Sequence, residues 1–276
     1  MAEITAVKRE KQAAIVHDWQ NKWALEGSCG PRNAGMGYWN ELKRHYNALA
    51  REGIAVEFVD QNADLTGYGL VVVPMLYLLT DAFAKKLCAF AQNGGTVIVT
   101  YWSGVVDESD LCRLGDTPYG LTELLGLRRT EIDGMYDGET RRCMPAAGCT
   151  LPAAQASTLC EVAAFDEENP AEPLSLYDED YFAGHPAVAV HRYGKGRAYY
   201  LASRFDEAFY RAFYHDAAKE IGLSPAWPVA LPEGILAVRR GSFVFVQNCT
   251  EQPATVGNTV LERYRTAVWK GKDRIF

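Results

Sequence analysis

The segment Tyr38-Trp39-Asn40-Glu41-Leu42-Lys43-Arg44-His45-Tyr46 holds the side chains most suggestive of catalysis. An Asn-Glu pair beside aromatic residues is the type of group that serves as a general acid on a sugar. That chemistry also needs a second carboxylate facing it across the scissile bond. The surrounding pattern argues against this role. Tyr38, Trp39, Leu42, Tyr46 and Leu49 recur at helical spacing, and Gly53 stands where a helix ends. With Leu42 at the centre of the apolar face, Glu41 falls about 100° away, near the edge of the polar face. Glu41 and His45 are at i, i+4 spacing and can pair on the surface. The spacing therefore predicts that Glu41 meets solvent, His45 or a neighbouring subunit.

Other nucleophile and ligand patterns are weaker. Ser103-Gly104 follows an apolar strand-like run, but no glycine precedes it at the G-x-S-x-G spacing. No Cys stands at that turn, and His185, His191 and His215 are partners for Ser103 by count only. No dinucleotide or Walker glycine loop occurs, and Gly94-Gly95 lies on the wrong side of its strand for a phosphate. Seven cysteines without a CxxC argue against both a zinc cluster and a disulfide framework. No metal ligand set or cofactor site is assigned.

The aromatic residues carry more information. Trp19 and Trp23, then Met75-Leu76-Tyr77, then Tyr101-Trp102, each follow a predicted strand. In an open parallel sheet those loops form the binding edge. Such aromatics either cover the sheet as core or anchor an interface, with ligand stacking as a third use.

The elements that must position these residues begin with a strand at 13–16, followed by a loop from His17 to Gly35. The helix from Tyr38, strands at 54–59 and 70–73, a helix capped by Thr80, and a strand at 96–100 come next. This alternation implies an α/β fold with a doubly wound, mostly parallel sheet. Residues 127–193 read as an irregular, partly β excursion. Tyr193-Gly194-Lys195-Gly196 marks a hairpin, and a helix burying Phe209, Phe213 and Ile221 follows. From residue 227 the chain becomes β. The expected division is 1–226 and a small all-β module at 227–276, whose last strands are not clear in the sequence.

Composition sets outer bounds. The 276 residues carry 35 acidic and 28 basic side chains, a net charge of −7, and 48% apolar residues. The basic residues are scattered, so neither nucleic acid nor an anionic membrane surface is an expected partner. The first residues lack a secretory h-region, no run is long enough to span a bilayer, and cysteine usage fits a reducing compartment. A cytoplasmic location is expected.

Several segments together resemble one family. His17-Asp18-Trp19-Gln20-Asn21-Lys22-Trp23-Ala24 fits a D-W-x-x-x-W-A motif. Gly67 to Leu78, Asn93 to Val97, and Tyr101 to Glu108 fit the segments that follow it. The chain resembles the trimerisation domain of glycoside hydrolase family 42 β-galactosidases. Leu231-Pro232-Glu233-Gly234 and Phe243 to Asn248 resemble the small β domain of the same enzymes. The resemblance implies a class I glutamine amidotransferase-like, flavodoxin-like fold without its nucleophile. It also implies a homotrimer, and a role as the assembly region of an enzyme hydrolysing terminal β-D-galactosides. The family's two catalytic glutamates lie on a (β/α)₈ barrel that these residues do not contain, so no catalytic residue is assigned here. Trp19, Trp23, Arg32, Tyr77 and Trp102 are the expected interface or active-site rim residues. Two alternatives stand beside this reading: an amidotransferase-like hydrolase using Ser103 or a displaced Cys, and a carbohydrate-binding module.

Overall fold

The computed structural model describes residues 10–28, 36–229, 231–271 and 273–275. Its first part is built on short apolar strands. β1 (Ala13–Val16) and β3 (Leu70–Val73) are buried along their whole length, as strands covered on both faces must be. β1 lies parallel between β2 (Val56–Val59) and β3, and β3 pairs in parallel with β4 (Thr96–Thr100). β10 (Gly196–Leu201) adds to β4, also in parallel.

Helices connect and cover these strands. α1 (Trp19–Gly27) lies inside the segment expected to be a loop, and it starts where Asp18 accepts hydrogen bonds from the backbone of Gln20 and Asn21. Its amphipathicity is weak because Trp19 and Trp23 face outward, so helical periodicity gave no signal there. α2 (Tyr38–Arg51) ends at Gly53, whose φ of +69° is accessible without penalty to glycine. α3 (Asp81–Gln92) is capped by the Thr80 side chain and buries Phe83 and Leu87. A single turn, α4 (Thr122–Leu125), precedes the β excursion, and α5 (Glu207–Ile221) buries Phe209 and Phe213 against the sheet and against α2. Ile221 is only half-buried.

The segment 127–193 is more regular than its Pro, Gly and Thr content suggested. It forms β5 (Leu127–Gly134), β6 (Thr140–Pro145), β7 (Ala154–Phe165), β8 (Glu172–Tyr177) and β9 (Pro186–Tyr193). All pair antiparallel, and β11 (Ser203–Arg204) closes on β7. The order across the sheet is β11-β7-β6-β8-β9-β10-β4-β3-β1-β2, with β5 on β7. Of its strand pairings, four are parallel and six antiparallel. The expected doubly wound, mostly parallel α/β sheet is therefore corrected to a mixed, predominantly antiparallel one. The physical reason is connection length: the β6–β7, β8–β9 and β9–β10 pairs are joined by turns or short loops, which allow only antiparallel pairing, whereas parallel pairs need long crossovers.

Beyond residue 226, β12 (Ile235–Arg240), β13 (Phe243–Asn248), β16 (Thr266–Lys270) and β17 (Asp273–Arg274) make a four-stranded antiparallel sheet. β14 (Ala254–Val256) and β15 (Thr259–Leu261) form a hairpin beside it. The closing strands that the sequence did not reveal are thus present. Ala226, Ile235, Val246, Leu261 and Trp269 belong to a hydrophobic cluster separate from that of the large sheet. Arg51, in α2, reaches Glu233 at 3.2 Å, and the backbone of Ala226 bonds to Gly53. No helix among the described residues is long and apolar enough to cross a membrane.

Candidate functional site

The carboxyl ends of β1, β3 and β4 carry the aromatic residues singled out above, and the structure divides them into two groups. Trp19 and Trp23 stand 53% and 62% exposed on α1. Trp39, from the first turn of α2, joins them with its ring 5.8 Å from that of Trp19. His17, at the end of β1, stacks on Trp39 at 4.7 Å and meets Trp19 edge-on at 5.1 Å. Burial lowers the pKa of His17, so at neutral pH the ring contributes as a neutral aromatic. These four residues form one exposed aromatic patch. Its helical spacing marks Trp39 only as a packing residue, because a one-dimensional pattern cannot show that α1 begins beside it.

Tyr77 and Trp102 form the second group and are core. They are buried and stack on each other at 5.7 Å, 19° between planes. Trp102 sits at φ +60° and Met75 at φ +44°, values few side chains adopt outside constrained sites. The Trp102 backbone N–H donates to Glu161, and the Met75 carbonyl accepts from Asn21 of α1. Asn21 also accepts from the Leu78 N–H, so one buried amide fixes α1 on the loop after β3. The link between this core pair's loop and the exposed patch runs through Asn21. Arg32 lies outside the described residues.

Glu41 is the largest departure from expectation. It is 0% exposed, not solvated. Its carboxylate accepts from Arg204 Nε at 2.9 Å and from the Tyr210 hydroxyl at 2.6 Å. Arg44 approaches at 3.2 Å, and His45 Nε2 lies 3.3 Å away while its Nδ1 meets the Tyr214 hydroxyl at 2.6 Å. The i, i+4 pairing with His45 does form, but in the interior, where α5 covers this side of α2. Burial by itself would raise the pKa of Glu41; the contact with His45, the Arg204 guanidinium and the Tyr210 hydroxyl outweigh it and hold the carboxyl well below the usual range.

Arg204 gathers several elements around that carboxylate. Beyond Glu41 it donates to the Tyr101 hydroxyl at 3.0 Å, to Thr158 Oγ1 at 2.8 Å and to the Met36 carbonyl. Thr158, β-branched and at φ +77°, sits where the β7–β11 register shifts. Such a bulge re-aims a side chain, here toward Arg204. A second buried carboxylate, Glu161, is held by Arg129 at 2.6 Å, by the Tyr200 hydroxyl and by the Trp102 N–H at 2.9 Å. Nothing in the sequence pattern marks Arg129, Glu161 or Arg204 as partners, because both ion pairs, Arg129–Glu161 and Arg204–Glu41, join residues far apart in the chain.

The remaining chemical candidates are structural. Ser103 is fully buried and its Oγ accepts from the Leu76 N–H at 3.0 Å. His185 and His191 bond to the carbonyls of Ala163 and Leu124, and His215 pairs with Glu52 at the surface. Among the described residues nothing links Ser103 to a histidine, so the Ser103 form of the hydrolase alternative finds no support. Cys143 and Cys160 are buried, and desolvation raises both thiols, Cys160 to about 12. Among the described residues no group of three or more His, Cys, Asp or Glu is placed to hold a metal ion.

Comparison with known proteins gives a consistent answer. Residues 11–224 match the family described as the beta-galactosidase trimerisation domain. Beta-galactosidase BglY of Alicyclobacillus acidocaldarius is 42% identical over 263 residues, which is 93% of this chain but 38% of that protein. The crystal structure of a beta-galactosidase from Rahnella sp. R3 superposes with a TM-score of 0.89 at 37% identity, covering 97% of this chain and 42% of that one. Gan42B, a GH42 beta-galactosidase of G. stearothermophilus, gives a TM-score of 0.84 at 29% identity over 95% of this chain and 40% of its own. The chain thus spans about two fifths of the length of the proteins it matches. These likenesses replace the amidotransferase-like, flavodoxin-like assignment drawn from the sequence.

Proposed function

The chain belongs to the beta-galactosidase trimerisation-domain family, and from that premise we propose that it is the non-catalytic assembly region of a homotrimeric, cytoplasmic β-galactosidase. Hydrolysis of terminal β-D-galactosides then belongs to a (β/α)₈ barrel outside these 276 residues. We place the boundary between the trimerisation domain and the closing β module at 226/227, close to where the two hydrophobic clusters part between Leu223 and Ala226.

The observation that carries this reading is the patch of Trp19, Trp23 and Trp39. Three indoles stand substantially exposed on elements fixed by buried polar networks. A monomer gains nothing from holding such surface in water, whereas Trp is the residue most enriched at the centres of interfaces. Trp19 and Trp23 are the interface residues in this proposal; Tyr77 and Trp102 are core residues.

Sedimentation velocity over a concentration series, alone and with a separately produced family 42 barrel, is the test. Self-association to a trimer, or binding to the barrel, is expected. A chain that stays monomeric at high concentration and ignores the barrel refutes the proposal. Titration with galactose and lactose under Trp fluorescence separates it from sugar binding: a saturable response would assign the patch to carbohydrate instead.

A further inference from the structure

Resting on the assembly reading, we infer that the loop carrying Leu111 and Leu114 is the second half of the self-association surface, docking on the Trp19–Trp23–Trp39 patch of the next copy. The argument begins with symmetry. A closed ring of three copies is heterologous: each protomer presents two different patches, and one patch meets the other on its neighbour. The aromatic patch supplies one. A second exposed apolar feature, on a different element, has to supply the other.

Leu111 and Leu114 fit that requirement. They are 64% and 92% exposed, yet their loop is firmly built. The Asp107 carboxylate accepts from the N–H groups of Ser109 and Leu111. The Arg113 N–H bonds to the Val105 carbonyl, and Val106 bridges both Leu78 and Cys112. The Arg113 guanidinium pairs with Asp81 at 2.6 Å, at the start of α3, and stacks on the Tyr119 ring at 4.3 Å. An ordered loop that holds two leucines in water is preorganised for a partner, since no ordering cost remains to be met on docking.

Position and charge agree. The loop rests on residues 77–79, the same segment that Asn21 ties to α1, so both patches border one edge of the sheet. They share no residue: one stands on α1 and α2, the other against the start of α3. The loop carries exposed Glu108, Asp110 and Asp116, whereas exposed Lys43 stands one turn beyond Trp39 on α2; Lys22 of α1 is paired with Glu26 and leaves that helix without a net charge at the patch. Opposite charge around two apolar centres favours one patch against the other over either against itself. The exposed Tyr136 and Tyr181 are weaker rivals, because tyrosine hydroxyls tolerate water and Tyr181 is already bonded to Glu131.

The test uses complementation. Leu111→Asp/Leu114→Asp and Trp19→Asp/Trp23→Asp chains are made separately, and their folding is checked by circular dichroism. Association of each, and of an equimolar mixture, is measured by sedimentation velocity. The expected result is a trimeric wild type and self-association weakened at least ~30-fold in each variant. The mixture forms a 1:1 heterodimer through its one intact interface and cannot close. As a second measurement, Gln20→Cys, next to Trp19, is oxidised in the presence of the native exposed Cys112. Reducible intermolecular dimers and trimers are expected, and they vanish in a Cys112→Ser background. A Leu111/Leu114 variant that trimerises like the wild type overturns this inference alone, as does a mixture of folded variants that stays monomeric. A monomeric wild type that still binds a separately produced barrel overturns this inference alone, whereas one that also ignores the barrel overturns the assembly reading on which it rests.

Discussion

Replacing Glu41 by Gln removes one charge from a site closed to water and changes almost nothing in volume. In the folded chain the carboxylate holds Arg204 and receives the Tyr210 hydroxyl, with His45 and Arg44 close by. The Gln amide keeps one acceptor oxygen and points an N–H₂ at donors. Arg204 is then left buried with reduced compensation, and removing one partner of a buried pair costs about 3–5 kcal/mol. Gln retains part of the hydrogen bonding, so the lower end, ~3 kcal/mol, is the expected loss. For a chain of this size that lowers Tm by roughly 6–10 °C. Urea unfolding followed by Trp fluorescence measures it, with an unchanged m-value showing that compactness is preserved. The cycle with Arg204→Met isolates the pair, and a coupling of ~1–3 kcal/mol is expected. A Glu41→Gln loss under about 0.5 kcal/mol is what a solvated surface glutamate gives, and that result refutes the network.

Acid sensitivity follows from the same group. Its folded pKa is depressed below the ordinary value of 4.5, so its contribution is complete above that pH and is lost as pH falls further. The wild-type chain therefore loses stability more steeply below about pH 4.5 than Glu41→Gln does, read as Tm against pH. Gly196→Ala places a Cβ 2.1 Å from the Gly95 carbonyl and 2.5 Å from that of Ala91, both backbone atoms that cannot turn aside. A loss of about 2–3 kcal/mol in urea unfolding is expected, with β9 and β10 separating first in hydrogen exchange. Thiol labelling of the native chain modifies Cys112 and Cys249 quickly, while Cys143 and Cys160, buried and with raised pKa, react only on unfolding. Rapid native labelling of Cys160 would show that the sheet around β7 opens readily.

Much of the backbone plan was legible in the sequence because it rests on local rules. The apolar runs at β1, β3 and β4, the Thr80 cap, the Gly53 stop and the Gly194–Gly196 turn each act within a few residues, and each stands where the pattern placed it. Family membership was also legible, since the motif around Asp18 and the runs near Gly67 and Tyr101 are linear signals. Strand direction in residues 127–193 was not, because Pro and Gly hid the alternation and pairing is decided by which strands meet. The burial of Glu41 was not legible either. Its helical angle fixes only a direction from the axis of α2. Whether that direction meets water depends on α5, whose Tyr210 and Tyr214 arrive from about 170 residues away, and on Arg204, carried in by β11. The sequence by itself determined the first strands, their caps and turns, and the kinship; the tertiary structure alone decided which charges are interior and which indoles face outward, because burial is a property of what packs against a residue and not of its own spacing.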